Sequence, residues 1–528
     1  MPRRVFVLIV VLFLAALAAR ALPGPRTIDD AFITFRYSRN LLEGQGFVYN
    51  PGVRTLGTTT PLFTLVMAGM GAAAGGQDFQ QYAIIVSALA DGLTCVLLFL
   101  IARRALNAGH AHSGFALDLA AAIPGLLWAA SPMSVTFAVG GMETSVNILW
   151  MIAAFWLYTM PQRRPIHEIG VGICAALGVI TRIDAVLWVA PLFGWQLIES
   201  LRARRIPWRT WGAAALTAAP WFLFAWGYFG SPIPNSISAK SAAYQMPPLS
   251  ALVRLIQTYA TPFSEFETFG GDGVRIGSVV YLLLNVFGLM AARRALPGIV
   301  PLLIYPYLYF VVFSIANPLI FRWYLAPPLP AWSLGIFLGV WAILTLRFPR
   351  RDPTRQSQTV PRRAAPLIAG VMGAVWLFTS VNGWTLQPDH GPQRPAPRMA
   401  WHALELEYQA IGEGLRDVYG VTAETRVGSA DIGAVGYFSR AAIVDTVGLV
   451  TPELRRYYPF DPAILAAGQN YAIPPALIRD SAPEYLVTME GFVREGLERE
   501  AWFREAYATA ESIPFPFYGS AVVLYERR

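Results

Sequence analysis

The sequence predicts a mostly α-helical, polytopic membrane protein that carries a small soluble α/β domain at its C-terminal end. Three observations predict it: about eleven long apolar runs, arginine clusters at every second connection between them, and a change of character after residue 381. The 528 residues are 55% hydrophobic and 14% charged, with a mean hydropathy of +0.45. A soluble domain carries about a quarter charged residues, so a wholly soluble chain is excluded.

A helix crossing a bilayer core of ~30 Å needs about 20 mostly apolar residues. Runs of that character cover residues 5–22, 82–102, 115–130, 144–160, 169–180, 185–198, 211–229, 278–290, 299–315, 323–346 and 367–381. Arg3/Arg4, Arg103/Arg104, Arg163/Arg164, Arg202/Arg204/Arg205, Arg293/Arg294 and Arg347/Arg350/Arg351 fall at the N-terminus and then at every second connection. Positive charge collects on the cytoplasmic side, so the N-terminus is expected there. Residues 61–74 are apolar but short, and counting them as a span would put Arg103/Arg104 outside; they read as a juxtamembrane or re-entrant helix. The first run also fits a signal peptide, with Arg3/Arg4 ahead of an apolar stretch that ends in small residues. Either way the first loop, residues 23–81, lies outside the cytoplasm.

Pro388, Pro392, Pro395 and Pro397 form a linker. This places the boundary between a membrane domain, 1–384, and an extracytoplasmic α/β domain, 385–528. Within the latter, residues 401–419 have helical periodicity, and residues 426–429, 442–445, 485–489 and 521–525 read as strands. The segment from Gly428 to Gly436 does not meet the dinucleotide pattern GxGxxG.

The net charge of +8 comes from clusters between apolar runs and forms no basic face, which argues against nucleic acid. Cys95 and Cys174 both lie in apolar runs, so no disulfide framework or cysteine metal site is expected. His110, His112, His167, His390 and His402 lack any paired ligand spacing. No cofactor is required by the sequence; a divalent cation bridging the acids and a phosphate is conceivable, but no ligand cluster calls for one.

The first loop carries the adjacent acids Asp29 and Asp30 at the start of a helical stretch containing Phe32, Phe35, Arg36 and Arg39. Its apolar spacing suits a helix lying on a membrane surface, with the arginines near the headgroups. One carboxylate there caps free N–H groups; two adjacent ones exceed what a cap needs.

The run Asp29-Asp30-Ala-Phe-Ile-Thr-Phe-Arg36-Tyr37 is followed by Gly44-x-Gly46-Phe-Val-Tyr-Asn50-Pro51-Gly52 and Thr59-Thr60-Pro61-Leu62. This resembles the first outer loop of GT-C membrane glycosyltransferases, most of all mycobacterial terminal arabinofuranosyltransferases, more loosely protein mannosyltransferases and lipid A aminoarabinose transferases. Gly141-Met142-Glu143-Thr144, Thr181-Arg182-Ile183-Asp184, Gly230-Ser231-Pro232-x-Pro234-Asn235, Arg322-Trp323-Tyr324, Ile432-Gly433-x-x-Gly436 and Val444-Asp445-x-x-Gly448 extend the likeness over most of the chain. Arg54-Thr55-Leu56-Gly57 departs from the family pattern, so the sugar is not carried over.

The resemblance implies inverting transfer from a polyprenyl-phosphate sugar to a hydroxyl of a glycan, lipid or protein acceptor, at the outer face of a bacterial plasma membrane. An acid of the first loop is the base: Asp30 is favoured, with Asp29 as support, though the order is open. The chemistry asks for the same group, since an alcohol must lose its proton as it attacks. A departing phosphate needs cationic donors. Arg36, Arg182, Arg322 and Lys240 are the candidates, Lys240 being the only lysine among 41 lysines and arginines. Each has a plainer reading: Arg182 as the partner of Asp184, Arg322 as an interfacial anchor, Lys240 as a solvated loop residue. Glu143 either joins the acceptor site or caps a helix. Asp91 and Asp118, inside apolar runs, read as packing contacts. A secondary transporter and a non-catalytic envelope-assembly protein are the competing classes; the long acid-bearing loop and the lack of internal repeats weigh against the former.

Overall fold

The computed structural model describes residues 2–108, 114–264, 266–345, 364–384, 400–515 and 520–528. The linker prolines, His110, His112, His390 and Arg347/Arg350/Arg351 lie outside the described residues.

A helix lies under each of the eleven apolar runs, from Arg3–Ala21 through Phe79–Asn107 to Ala364–Asn382. The run at 323–346 begins as a helix only at Leu329, because Pro327 and Pro328 cannot continue a helix from the turn Arg322–Tyr324. Five helices are individually long and apolar enough to cross a bilayer among the described residues. A sixth span results if Phe115–Ala130 and Pro132–Val139, bent by 46°, are counted together. Pro61–Ala74 is a helix of 14 residues, about 21 Å at 1.5 Å per residue and short of a bilayer core.

Charges inside the bundle are paired. Arg20 Nε donates to Asp91 at 3.1 Å, and Asp91 also accepts from Trp128 Nε1 at 3.0 Å and Ser145 Oγ at 2.8 Å. Arg4 and Arg103 meet on Asp118 at 2.8 and 2.7 Å. An unpaired charge in an apolar interior is costly, so these aspartates tie the first helix to its neighbours.

The C-terminal domain is built on a five-stranded sheet in the order β2-β1-β3-β5-β4. The strands are β1 (Arg426–Ser429), β2 (Ala442–Asp445), β3 (Tyr485–Met489), β4 (Tyr507–Phe515) and β5 (Ser520–Arg527). The first three run parallel, whereas β5 is antiparallel to β3 and to β4. Strand β4 escapes the sequence pattern because it is a bulged edge strand, largely exposed, with no buried face to impose alternation. Helix Gly433–Ser439 makes the crossover from β1 to β2 and packs on helix Asp29–Leu42 of the first loop. That contact seats the C-terminal domain over the acid pair.

Candidate functional site

The two adjacent acids face different parts of the molecule. Asp29 accepts hydrogen bonds from the backbone N–H groups of Gly433 at 2.9 Å and Ala434 at 2.7 Å, at the start of helix Gly433–Ser439. Unpaired N–H groups and the helix dipole make that end a seat for an anion. In this chain the anion is the Asp29 side chain. A Cβ at Gly433 would stand 1.8 Å from the Asp29 carbonyl oxygen, so only glycine admits the approach. Desolvation and the Asp431 carboxylate push the Asp29 pKa up to about 8 against the pull of those N–H groups.

Arg36 belongs to the same seam. It is buried, and its guanidinium donates to the carbonyls of Tyr49 at 2.9 Å, Gly436 at 2.6 Å and Ala441 at 2.6 Å, and to Asn50 Oδ1 at 3.1 Å. Arg39 donates to the Tyr437 carbonyl at 2.7 Å. Phe32 packs on the rings of Tyr437 and Phe438. The surface that reads as lipid-facing in the sequence is therefore covered by the C-terminal domain, and Arg36 holds backbone carbonyls rather than facing headgroups. Asn235 extends the seam by donating to the carbonyls of Gly448 at 2.7 Å and Leu449 at 2.9 Å.

Asp30 turns the other way, into a cavity of about 550 Å³ between the first loop, the helix bundle and Leu449 of the C-terminal domain. Its Oδ2 lies 3.3 Å from Lys240 Nζ on helix Asn235–Ala243. The Lys240 ammonium also stands over the Phe321 ring, 4.7 Å from its centre. Burial would lower the lysine pKa, but the Asp30 carboxylate, with Tyr324 and Asp445, outweighs it and holds the ammonium above its ordinary value. A second charged group lines the same cavity. Arg182 donates to Glu143 at 2.6 Å and grips Asp184 with two hydrogen bonds of 2.9 and 2.8 Å. Burial alone would lower the Arg182 pKa; Asp184 and Glu143 raise it well above normal. Burial pushes the Glu143 carboxyl up despite its arginine partner.

Of the residues singled out in the sequence, Asp30, Lys240, Arg182 and Glu143 share one cavity. Asp29 and Arg36 sit in the seam. Arg322 stands on the turn whose Trp323 and Tyr324 line the cavity, but is not itself part of its lining. Sequence reasoning passed over Ser236, whose hydroxyl is buried, lines the cavity and has no hydrogen-bond partner among the described residues. It also passed over Tyr244 and Asn317 in the wall, and Asp431, which accepts from Tyr408 at 2.8 Å and raises the Asp29 pKa. Only the likeness of Ile432-Gly433-x-x-Gly436 to the family pointed near Asp431; nothing local marked the others. Thr58, Thr59 and Thr60 add a hydroxyl shelf, and Phe313, Leu319, Trp323 and Tyr324 an apolar flank. Among the described residues, no group of three or more His, Cys, Asp or Glu is placed to hold a metal ion.

Comparison with known proteins agrees with this architecture. Residues 399–525 match a family model described as "Domain of unknown function (DUF8728)". A stretch of 229 residues is 28% identical to the terminal β-(1→2)-arabinofuranosyltransferase of Mycobacterium tuberculosis, covering 41% of this chain and 35% of that protein. The chain thus spans about a third of the length of the curated relative it matches. Among solved structures, ArnT from Cupriavidus metallidurans bound to undecaprenyl phosphate superposes with a TM-score of 0.54 at 15% identity, covering 98% of this chain and 97% of that one. The archaeal oligosaccharyltransferase AglB from Archaeoglobus fulgidus, in complex with an inhibitory peptide and a dolichol-phosphate, superposes with a TM-score of 0.55 at 12% identity, over 98% and 74% of the chains. At such identities the likeness is one of fold, and the fold is that of GT-C membrane enzymes.

Proposed function

We propose that this GT-C-fold membrane protein is an inverting glycosyltransferase that moves a sugar from a polyprenyl-phosphate donor to a hydroxyl group of an envelope glycan, lipid or protein. The observation that carries it is the Asp30–Lys240 pair, 3.3 Å apart, in a cavity with a polar end and an aromatic flank. The names of the similar proteins support the donor class: one is an arabinofuranosyltransferase, one is bound to undecaprenyl phosphate and one to a dolichol-phosphate. In this reading residues 1–384 form the catalytic domain and residues 385–528 an extracytoplasmic cap. The site faces the outer side of a bacterial plasma membrane, with the N-terminus in the cytoplasm.

Asp30 takes the proton of the acceptor hydroxyl while the oxygen bonds to the anomeric carbon. The bond from that carbon to the phosphate oxygen breaks, its electron pair leaves with the lipid phosphate, and the configuration inverts. Positive charge grows on the sugar in the transition state, and the Asp30 carboxylate also stabilises it. Lys240 meets the negative charge growing on the phosphate. Arg182 is committed to Glu143 and Asp184, so it fixes their carboxylates around the acceptor side and adds a second cation near the phosphate. The unpartnered Ser236 hydroxyl has room for one hydrogen bond to the donor. The aromatic flank offers ring faces to the first isoprene units.

Mass spectrometry of lipid copurifying with the protein identifies the donor, which is then assayed with wild type and Asp30→Asn. Loss of transfer with retained donor binding is expected. Full activity in Asp30→Asn overturns the assignment.

A further inference from the structure

At the far end of the bundle from the Asp30 cavity lies a second cavity of about 620 Å³. Helix Thr144–Tyr158 starts beside Glu143 and runs away from the first cavity, about 22 Å at 1.5 Å per residue. Helix Pro165–Thr181 returns to it at Arg182, and Val186–Ala203 leads away again. The second cavity sits among the distal ends of these three helices and the start of Trp208–Phe229.

Its wall holds four guanidinium groups, Arg163, Arg204, Arg205 and Arg209, against two carboxylates. Both carboxylates are engaged. Glu199 accepts from Arg163 at 3.2 Å, Tyr158 at 2.7 Å and Trp195 at 3.0 Å, and Glu168 pairs with Arg209 at 3.2 Å. Among the described residues the Arg204 and Arg205 side chains make no ion pair. Two further features face the same space. The side chain of Gln196, only 5% exposed, has its Oε1 without a hydrogen-bond partner among the described residues. A buried acceptor left so is unfavourable unless a ligand or water donates to it. Helix Trp208–Phe229 begins at the cavity with no side-chain cap; the Thr210 and Trp211 N–H groups donate to the Pro207 carbonyl, which leaves those of Trp208 and Arg209 and the positive dipole end for an anion.

We propose that this second cavity binds a phosphate group. The excess arginines supply charge and forked donors and the uncapped helix start adds N–H groups, while Gln196 Oε1, an acceptor, is placed to take a hydrogen bond from a hydroxyl of the phosphate or of its headgroup. The phosphate has two sources, the headgroup of an anionic phospholipid and free inorganic phosphate. The rim favours the lipid: Leu201, Ile206 and Trp208 are 70, 75 and 66% exposed beside the arginines. An apolar rim with basic groups behind it is what an acyl chain below a phosphate headgroup requires.

The test uses the full chain and the double variant R204Q/R205Q, whose altered side chains make no ion pair among the described residues. Each is placed in nanodiscs of phosphatidylcholine containing a minor share of phosphatidylglycerol, and retained lipid is counted by native mass spectrometry. Retention of phosphatidylglycerol by the wild type, reduced about tenfold or more in the variant, supports the site with a lipid as its source. In a parallel arm, inorganic phosphate is titrated against the protein in detergent and thermal stability is followed. A saturable rise in the wild type alone, without lipid retention, supports the site with free phosphate as its source. Equal behaviour of the two proteins in both arms overturns the proposal. Sugar transfer by R204Q/R205Q is expected to match the wild type, which separates this site from the one around Asp30.

Discussion

Asp29 and Asp30 are neighbours in the chain, yet they belong to two regions built on opposite principles. Around Asp29, side chains of the first loop are spent on backbone groups of the C-terminal domain: Asp29 on two N–H groups, Arg36 on two carbonyls, Arg39 on one. Such bonds leave no capacity for a ligand and lock two parts of the molecule together. Around Asp30, charged side chains meet other side chains across open space, with Lys240 on one wall and Glu143, Arg182 and Asp184 on another. The difference teaches that one helix of the first loop docks the C-terminal domain through Asp29 and, in the function proposed, offers the adjacent Asp30 for chemistry.

The sharpest way to break the comparison is to remove each acid separately. Asp30→Asn should lower sugar transfer by about 10³-fold, within the range for a lost general base, while melting temperature stays near wild type. Arg36→Met should act on the other region. It strands the carbonyls of Gly436 and Ala441, at about 3 kcal/mol of stability, read as a lower melting temperature and easier proteolysis of the C-terminal domain. Lys240→Gln should reduce kcat by about 10²-fold with little change in stability, as expected for one lost donor at a developing charge. If Lys240→Gln instead unfolds the protein, the cavity is structural and the two regions are one.

The last effect concerns pH. Asp29 is held up at about 8 in the folded chain, against about 4 when unfolded. A raised carboxyl pKa contributes stability that is fully present below about pH 4 and is lost as pH rises through about 8. Thermal unfolding of the wild type should therefore weaken between about pH 5 and 8 more steeply than that of Asp29→Asn. A parallel slope in both would place the titration elsewhere, on Asp431 or on Glu405, whose carboxylate accepts from the Asp29 backbone N–H at 2.8 Å.

Much of the architecture was legible because the forces that build it are local. Twenty-residue apolar runs have few alternatives to helices in a bilayer, and every run named from the sequence contains one. Strands β1, β2, β3 and β5 showed the expected apolar runs, while the exposed edge strand β4 did not. Asp91 and Asp118 were read as packing groups, and Arg20, Arg4 and Arg103 are the partners that make them so. The site was legible only in part. Glu143, Arg182 and Lys240 come from segments far apart in the chain, and Ser236, Tyr244 and Asp431 carry no mark beyond their position in space.

By itself, the sequence determined the polytopic helical class, the α/β domain at the end of the chain, and the presence of an acid pair where chemistry and capping both had a claim. The tertiary structure alone decided what each acid meets. A helix start 404 residues away, opened by Gly433, captures Asp29, and a lysine 210 residues away meets Asp30. Neither partner is encoded near the loop, because the direction of a side chain on a helix is set by its own turn, but what it meets there is set by packing.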